Sequence, residues 1–150
     1  MAVTTVGEAS PVTTTTVKAS GIQATLVSGD ERPAFLPRVF GRRFMQGEAG
    51  VFNWMRRLCR LYNGGYWDFV DLSNGGFYLR LVSDKPMALY VDGNGFNGEL
   101  SADAASIVAC LFAINELLFD GADELTDAYY ALRDYAGQHP ESKRILNAID

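Results

Sequence analysis

Three runs rich in aromatic and β-branched residues, Tyr66 to Leu72, Phe77 to Val82 and Met87 to Asp92, are joined by Ser73-Asn74-Gly75-Gly76 and Ser83-Asp84-Lys85-Pro86. Connections this short join antiparallel strands, because a parallel pair needs a crossover of roughly a dozen residues or more. The spacing predicts an antiparallel meander. The Asn94-Gly95 pair predicts one more turn, followed by a fourth short strand near Phe96 to Leu100.

Helical periodicity flanks these runs. From Gly47, the apolar positions Val51, Trp54, Met55, Leu58, Leu61 and Tyr62 recur at three and four residues, with Arg56, Arg57 and Arg60 on the opposite side and Asn63-Gly64-Gly65 as the stop. Ser101 reads as the N-cap of a second helix, with Asp103 in its first turn. Its apolar residues Ile107, Val108, Leu111, Phe112, Leu117 and Leu118 cover most of the circumference and predict a buried central helix. Leu125, Ala128, Tyr129, Leu132, Tyr135 and Ala136 form a third stripe, and Pro140 suits the first position of a last helix carrying Ile145, Leu146 and Ile149. A short segment around Phe35 to Phe40 is expected to be interrupted by Pro37. The fold class is therefore α+β: one compact domain, residues 29–150, with a three- to four-stranded meander packed against about four to five helices.

Residues 1–28 are rich in Thr, Val, Ala, Ser and Gly and contain no aromatic side chain. They are expected to form a tail whose removal leaves the thermal midpoint nearly unchanged. No basic residue precedes Lys18 and no apolar segment follows the start, so a secretory signal is not expected and the expected location is the cytoplasm, with no membrane partner. Cys59 and Cys110 both fall in apolar helical patterns, which suits reduced buried thiols.

The net charge of −5 conceals an asymmetry. Seven arginines lie between Arg32 and Arg60 against Glu48 alone, whereas after Val91 eleven acidic residues face Arg133, Lys143 and Arg144. Such a division either marks a partner surface or is neutralised within the fold.

The familiar chemical signatures fail on inspection. Gly93-Asn94-Gly95-Phe96-Asn97-Gly98 spells a dinucleotide fingerprint, but the helix opens only at Ser101 and no second parallel strand follows it. The same run departs from a calcium loop at Phe96, Asn97 and Asp103. The cluster Asp120, Asp123, Glu124 and Asp127 suits the N-terminus of the next helix, where negative charge is favourable. His139 is the single histidine, sits before Pro140 and has no nucleophile beside it in sequence; a structural or surface role is expected. No catalytic residue, cofactor or metal ligand set is assigned.

Four motifs run in order: Phe52-Asn53-Trp54-Met55-Arg56-Arg57-Leu58, Tyr62-Asn63-Gly64-Gly65-Tyr66-Trp67, Leu72-Ser73-Asn74-Gly75-Gly76-Phe77-Tyr78 and Val91-Asp92-Gly93-Asn94-Gly95-Phe96. The series continues through Gly98-Glu99-Leu100-Ser101-Ala102-Asp103. From about Phe35 to Asp150 the chain resembles the ArdB/KlcA antirestriction proteins carried by plasmids and other mobile elements. The resemblance implies relief of type I DNA restriction in a bacterial cytoplasm. It implies as partner a type I restriction-modification enzyme or an associated host factor, met by a monomer or weak dimer, and it brings no known catalytic residue. Eighteen acidic against thirteen basic residues is too small an excess for imitation of DNA by carboxylates, so a compact inhibitor of another kind is expected. A nucleic-acid-binding accessory protein of a mobile element, using the arginine segment, is the alternative. Candidate contact residues are Asn74, Asp92, Asn94 and Asn97 in the turns, Arg56, Arg57 and Arg60 on the first long helix, and Asp150 at the C-terminus. The turn residues also have a purely conformational explanation.

Overall fold

The computed structural model describes residues 21–150. Chain order is β1 (Ala24–Leu26), α1 (Arg32–Phe40), a 3-10 turn (Gly41–Arg43), α2 (Phe44–Leu58), β2 (Trp67–Leu72), β3 (Phe77–Leu81), β4 (Met87–Val91), β5 (Phe96–Leu100), α3 (Ala102–Phe119), a second 3-10 turn (Asp123–Leu125), α4 (Thr126–Gln138) and α5 (Ser142–Ile149). The α+β class and the antiparallel pairing hold. The strands, however, divide into two sheets, β1-β2-β3 and β4-β5, and do not continue as one meander.

The division has a physical cause in α3. The edge of β3 turned away from β2 meets two polar side chains of that helix. The Ser106 hydroxyl accepts from the Leu81 amide at 2.9 Å, and the Cys110 thiol lies 3.4 Å from the Leu79 amide and 3.5 Å from its carbonyl. Four helix residues advance by roughly 6 Å and two strand residues by roughly 6.8 Å, so positions 106 and 110 match Leu81 and Leu79 in step. A helix thus occupies the place where β4 would have paired.

α3 is the core. Ser101 caps it as expected, its hydroxyl accepting from the Ala104 amide, and residues from Ala102 to Leu117 are buried on nearly every side. It is long and apolar enough to cross a membrane, but most of it lies inside the fold. Both cysteines are free and buried, as expected. Burial pushes the Cys110 thiol up to about 12.

Three expectations are corrected. Residues 1–20 lie outside the described part, but the end of the expected tail is structured: Ala24–Leu26 pair antiparallel with β2, Val27 is buried, and the Gln138 amide holds both the N–H and the C=O of Ile22. Every one of these partners is remote in sequence, and removal of residues 21–28 would strip them from β2 and α4. Next, α1 runs through Pro37 without interruption, with Pro33 in its first turn. It meets α2 where Phe40 lies flat on Gly47, at which a Cβ would fall 2.5 Å from the ring. Finally, α2 begins at Phe44 and ends at Leu58, short of the expected Tyr62, because Cys59 turns extended with φ −124° and ψ 107°.

The Gly93 to Gly98 run is a hairpin turn. Asp92 to Gly95 make the reversal and Phe96 already belongs to β5. Gly95 takes φ +75°, a left-handed conformation that glycine adopts without strain.

Candidate functional site

Of the eight candidate residues, three are tied into the fold, four line a groove and Arg56 belongs to neither set. Asn74 and Asn94 are tied into the fold in the same way. The Asn74 side-chain oxygen accepts from the Gly76 amide at 3.1 Å while its Nδ2 donates to the Ala131 carbonyl of α4 at 2.9 Å. The Asn94 oxygen accepts from the Phe96 amide at 2.9 Å while its Nδ2 donates to the Ala148 carbonyl in the last turn of α5 at 2.9 Å. Each asparagine shapes its own turn and fastens it to a helix. Asp150 faces Arg133 of α4 at 3.2 Å, which offsets the unfavourable charge at the end of α5.

Arg57, Arg60, Asp92 and Asn97 come together. They line an open groove of about 850 Å³ between the end of α2 and the β4-β5 hairpin, with Leu58, Leu61, Ala88, Leu89 and Tyr90 as its apolar surface. Leu61 is 88% exposed and Tyr90 48% exposed. Large apolar groups left in water beside cationic rims are a feature of protein contact surfaces. Arg57 is held in place before any partner arrives: its guanidinium sits 3.9 Å from the Trp54 ring centroid, and Trp54 stacks on Phe112 at 4.6 Å and donates to Glu116. Among the described residues no carboxylate lies within 4 Å of the guanidinium of Arg56, Arg57 or Arg60. Arg56 bonds Asn53 at 2.8 Å and stands outside the groove.

Sequence reasoning missed two features. Leu61 falls in the apolar stripe that the sequence predicts for α2, but the helix ends before it, and the loop turns it outward. Tyr90 is turned outward by the alternation of β4, whose odd positions are buried and even ones exposed, but Met87 to Val91 are all apolar and the sequence does not show which face is outward.

The second feature is a polar cluster beneath the sheet. Tyr78 of β3 donates to Asp103 at 2.6 Å, and the His139 Nε2 meets the other Asp103 oxygen at 2.8 Å. The Glu141 amide donates to His139 Nδ1, so Nε2 carries the proton and donates. Glu141 in turn accepts from the amide and hydroxyl of Ser101, joining the starts of α3 and α5. Burial opposes ionisation of Asp103, but the bonds from His139 and Tyr78, with the charge of Arg80, outweigh it and hold the carboxyl below its usual range. Burial, then the Asp103 bond and charge, push the Tyr78 phenol upward. Both His139 nitrogens are occupied and the cluster satisfies itself, so of the structural and surface roles open to this histidine the fold shows the structural one. Its members are far apart in sequence, and only the fold brings them together.

The family model described as "Antirestriction protein" matches residues 60–150, a span that contains the hairpins, the cluster and most of the groove. The chain belongs to the antirestriction protein family. It is 51% identical over 135 residues to the antirestriction protein KlcA of Escherichia coli, covering 86% of this chain and 95% of that protein. A second Escherichia coli KlcA is 50% identical over 139 residues, covering 87% and 95%. A solved structure from work on KlcA and ArdB superposes with a TM-score of 0.82 at 48% identity, covering 91% of this chain and all of the other. That work describes a novel fold and antirestriction activity against Type I DNA restriction systems in vivo but not in vitro. The resemblance read from the motifs is borne out.

Proposed function

We propose that this antirestriction protein relieves type I restriction of incoming unmodified DNA in the bacterial cytoplasm, without catalysis of its own and by contact with a protein. The observation that carries the function is its likeness to KlcA, at 51% identity over most of both chains. The activity of KlcA and ArdB in vivo but not in vitro fits an inhibitor that meets the restriction enzyme through a further host component or at an intermediate stage.

Two features support protein contact over imitation of DNA. Several carboxylates are already engaged inside the fold: Asp68 with Arg80, Asp71 with Arg38 and Asp103 with His139. The open groove carries guanidinium groups, which would repel the basic channel that a DNA mimic must enter. The arginine segment is also no single basic stripe. Arg32 lies over Tyr66 and Phe69, Arg38 pairs with Asp71, and Arg43 faces Glu124. That dispersal weighs against a nucleic-acid surface.

Phage plating tests the reading. Unmodified phage should plate better on a host with a type I system when the chain is expressed, and equally well with or without it on a host lacking restriction. Unchanged plating on the restricting host would refute the proposal.

A further inference from the structure

The groove lies beside the outer edge of β4. β3 is sealed by Ser106 and Cys110. On β5 the Glu99 carbonyl accepts from Arg144 at 2.7 Å. On β4 the phase of the ladder can be read from both strands. The Val91 carbonyl points inward, accepting from the Gly95 amide at 2.8 Å, and the register pairs Val91 with Phe96, Leu89 with Gly98 and Met87 with Leu100. The intervening Ala88 and Tyr90 then turn their N–H and C=O groups away from β5. The outward Glu99 carbonyl, opposite Ala88, gives the same phase. Among the described residues nothing hydrogen-bonds these four groups.

The groove is lined by Ala88 and Tyr90 from the exposed face of β4 and by Leu89 from its buried face. The opening therefore reaches from the exposed face of the hairpin, where Asn97 pairs with Tyr90, to the edge of β4. At Leu61 and Ala88 it runs into a second hollow of about 430 Å³ bearing Val82, Lys85, Pro86 and Met87, so the channel follows β4 over its full length. Arg57, Arg60 and Lys85 line it, with no carboxylate within 4 Å, and Asp92 stands at one end.

We propose that β4 accepts an added strand: an extended segment of a partner protein in which apolar residues alternate with carboxylates. This rests on the reading of the groove as a protein contact. The outward groups of Ala88 and Tyr90 supply the ladder, which gives affinity regardless of side chains. The alternation of the added strand lets one set of side chains reach the guanidinium groups while the other packs on Leu61 and Tyr90. A second copy of this chain fits less well, since joining β4 to β4 would set the arginines of both copies against each other.

The test is amide exchange by NMR on the full chain with three probes: a peptide of about ten residues alternating valine and glutamate, its lysine counterpart, and oligothymidine of similar length. The glutamate peptide should slow exchange at Ala88 and Tyr90 by about tenfold or more, and Arg57→Glu/Arg60→Glu should weaken its binding about tenfold while its amide spectrum stays that of the folded chain. Ala88→Pro removes an N–H that pairing with β5 does not use, and should abolish the protection of Tyr90. If that variant unfolds, the arginine pair decides the matter. The proposal is overturned by no protection, by equal protection from both peptides, or by tighter binding of oligothymidine. Protection that rises with protein concentration alone overturns it in favour of a second copy. Binding is measured without restriction, so a chain that takes the glutamate peptide yet fails in phage plating would refute the antirestriction reading and leave strand addition standing.

Discussion

The two hairpins, β2-β3 and β4-β5, are built with the same turn chemistry and put to different use. Each reverses through Asn-Gly, with Gly75 at φ +90° and Gly95 at φ +75°, and each asparagine is fastened to a helix carbonyl. Beyond the turns they diverge. The outer edge of β3 is closed by α3, and Tyr78 anchors that strand to Asp103 and His139. The outer edge of β4 faces a groove with exposed Leu61, Tyr90, Arg57 and Arg60. One hairpin completes the core and the other holds hydrogen-bonding groups and cations in reserve. Damage to the first should therefore cost stability, and damage around the second should cost activity.

The largest loss of stability should come from Asp103→Ala, which leaves the Tyr78 hydroxyl and the His139 N–H without their acceptor; about 3 kcal/mol is expected in urea unfolding. A loss below about 1 kcal/mol would mean that the cluster does not anchor β3. The same carboxyl sets a pH dependence. Its folded pKa lies below the unfolded value of about 3.9, so its contribution is complete above that value and is lost as pH falls through the lower folded one. The urea midpoint should drop across that acid range, and Asp103→Asn should flatten the drop.

Ser106→Ala should cost about 2 kcal/mol by leaving the buried Leu81 amide unpaired while removing only one oxygen from the site. If it costs nothing, the seal on β3 is only incidental. Asn74→Ala and Asn94→Ala should each cost roughly 1 kcal/mol and leave restriction relief intact. Loss of relief by Asn94→Ala at unchanged stability would move that turn from scaffold to contact surface and break the comparison between the hairpins. The smallest effect on folding, about 1 kcal/mol or less, belongs to Arg57→Glu/Arg60→Glu, since both side chains are exposed without a carboxylate partner and only the stacking of Arg57 on Trp54 is lost.

What was legible in the sequence was whatever periodicity or turn chemistry records locally. The Ser101 cap, the apolar circumference of α3, the stripe of α4 and the Asn-Gly turns all lie within a few residues of their cause. The misses share a different character. β1 has only Ala24, Thr25 and Leu26, all exposed, and its neighbourhood is held by Gln138 and Ser73 from far along the chain. The split of the sheet depends on Ser106 and Cys110 matching the step of β3, which neither segment shows alone. Of the candidate residues, Arg57, Arg60, Asp92 and Asn97 were chosen for charge or turn position on separate elements, and only the packing of α2 beside β4 makes them neighbours.

The central claim is that an antirestriction protein of this family acts through the α2-β4 groove, and phage plating on a type I restricting host measures it most directly. At equal expression, the wild-type chain and the exposed-surface control Arg42→Glu should relieve restriction alike, while Arg57→Glu/Arg60→Glu, still folded, should relieve it far less. Full relief by the groove variant would contradict the assignment of the groove, and no relief by the wild-type chain would contradict the function itself.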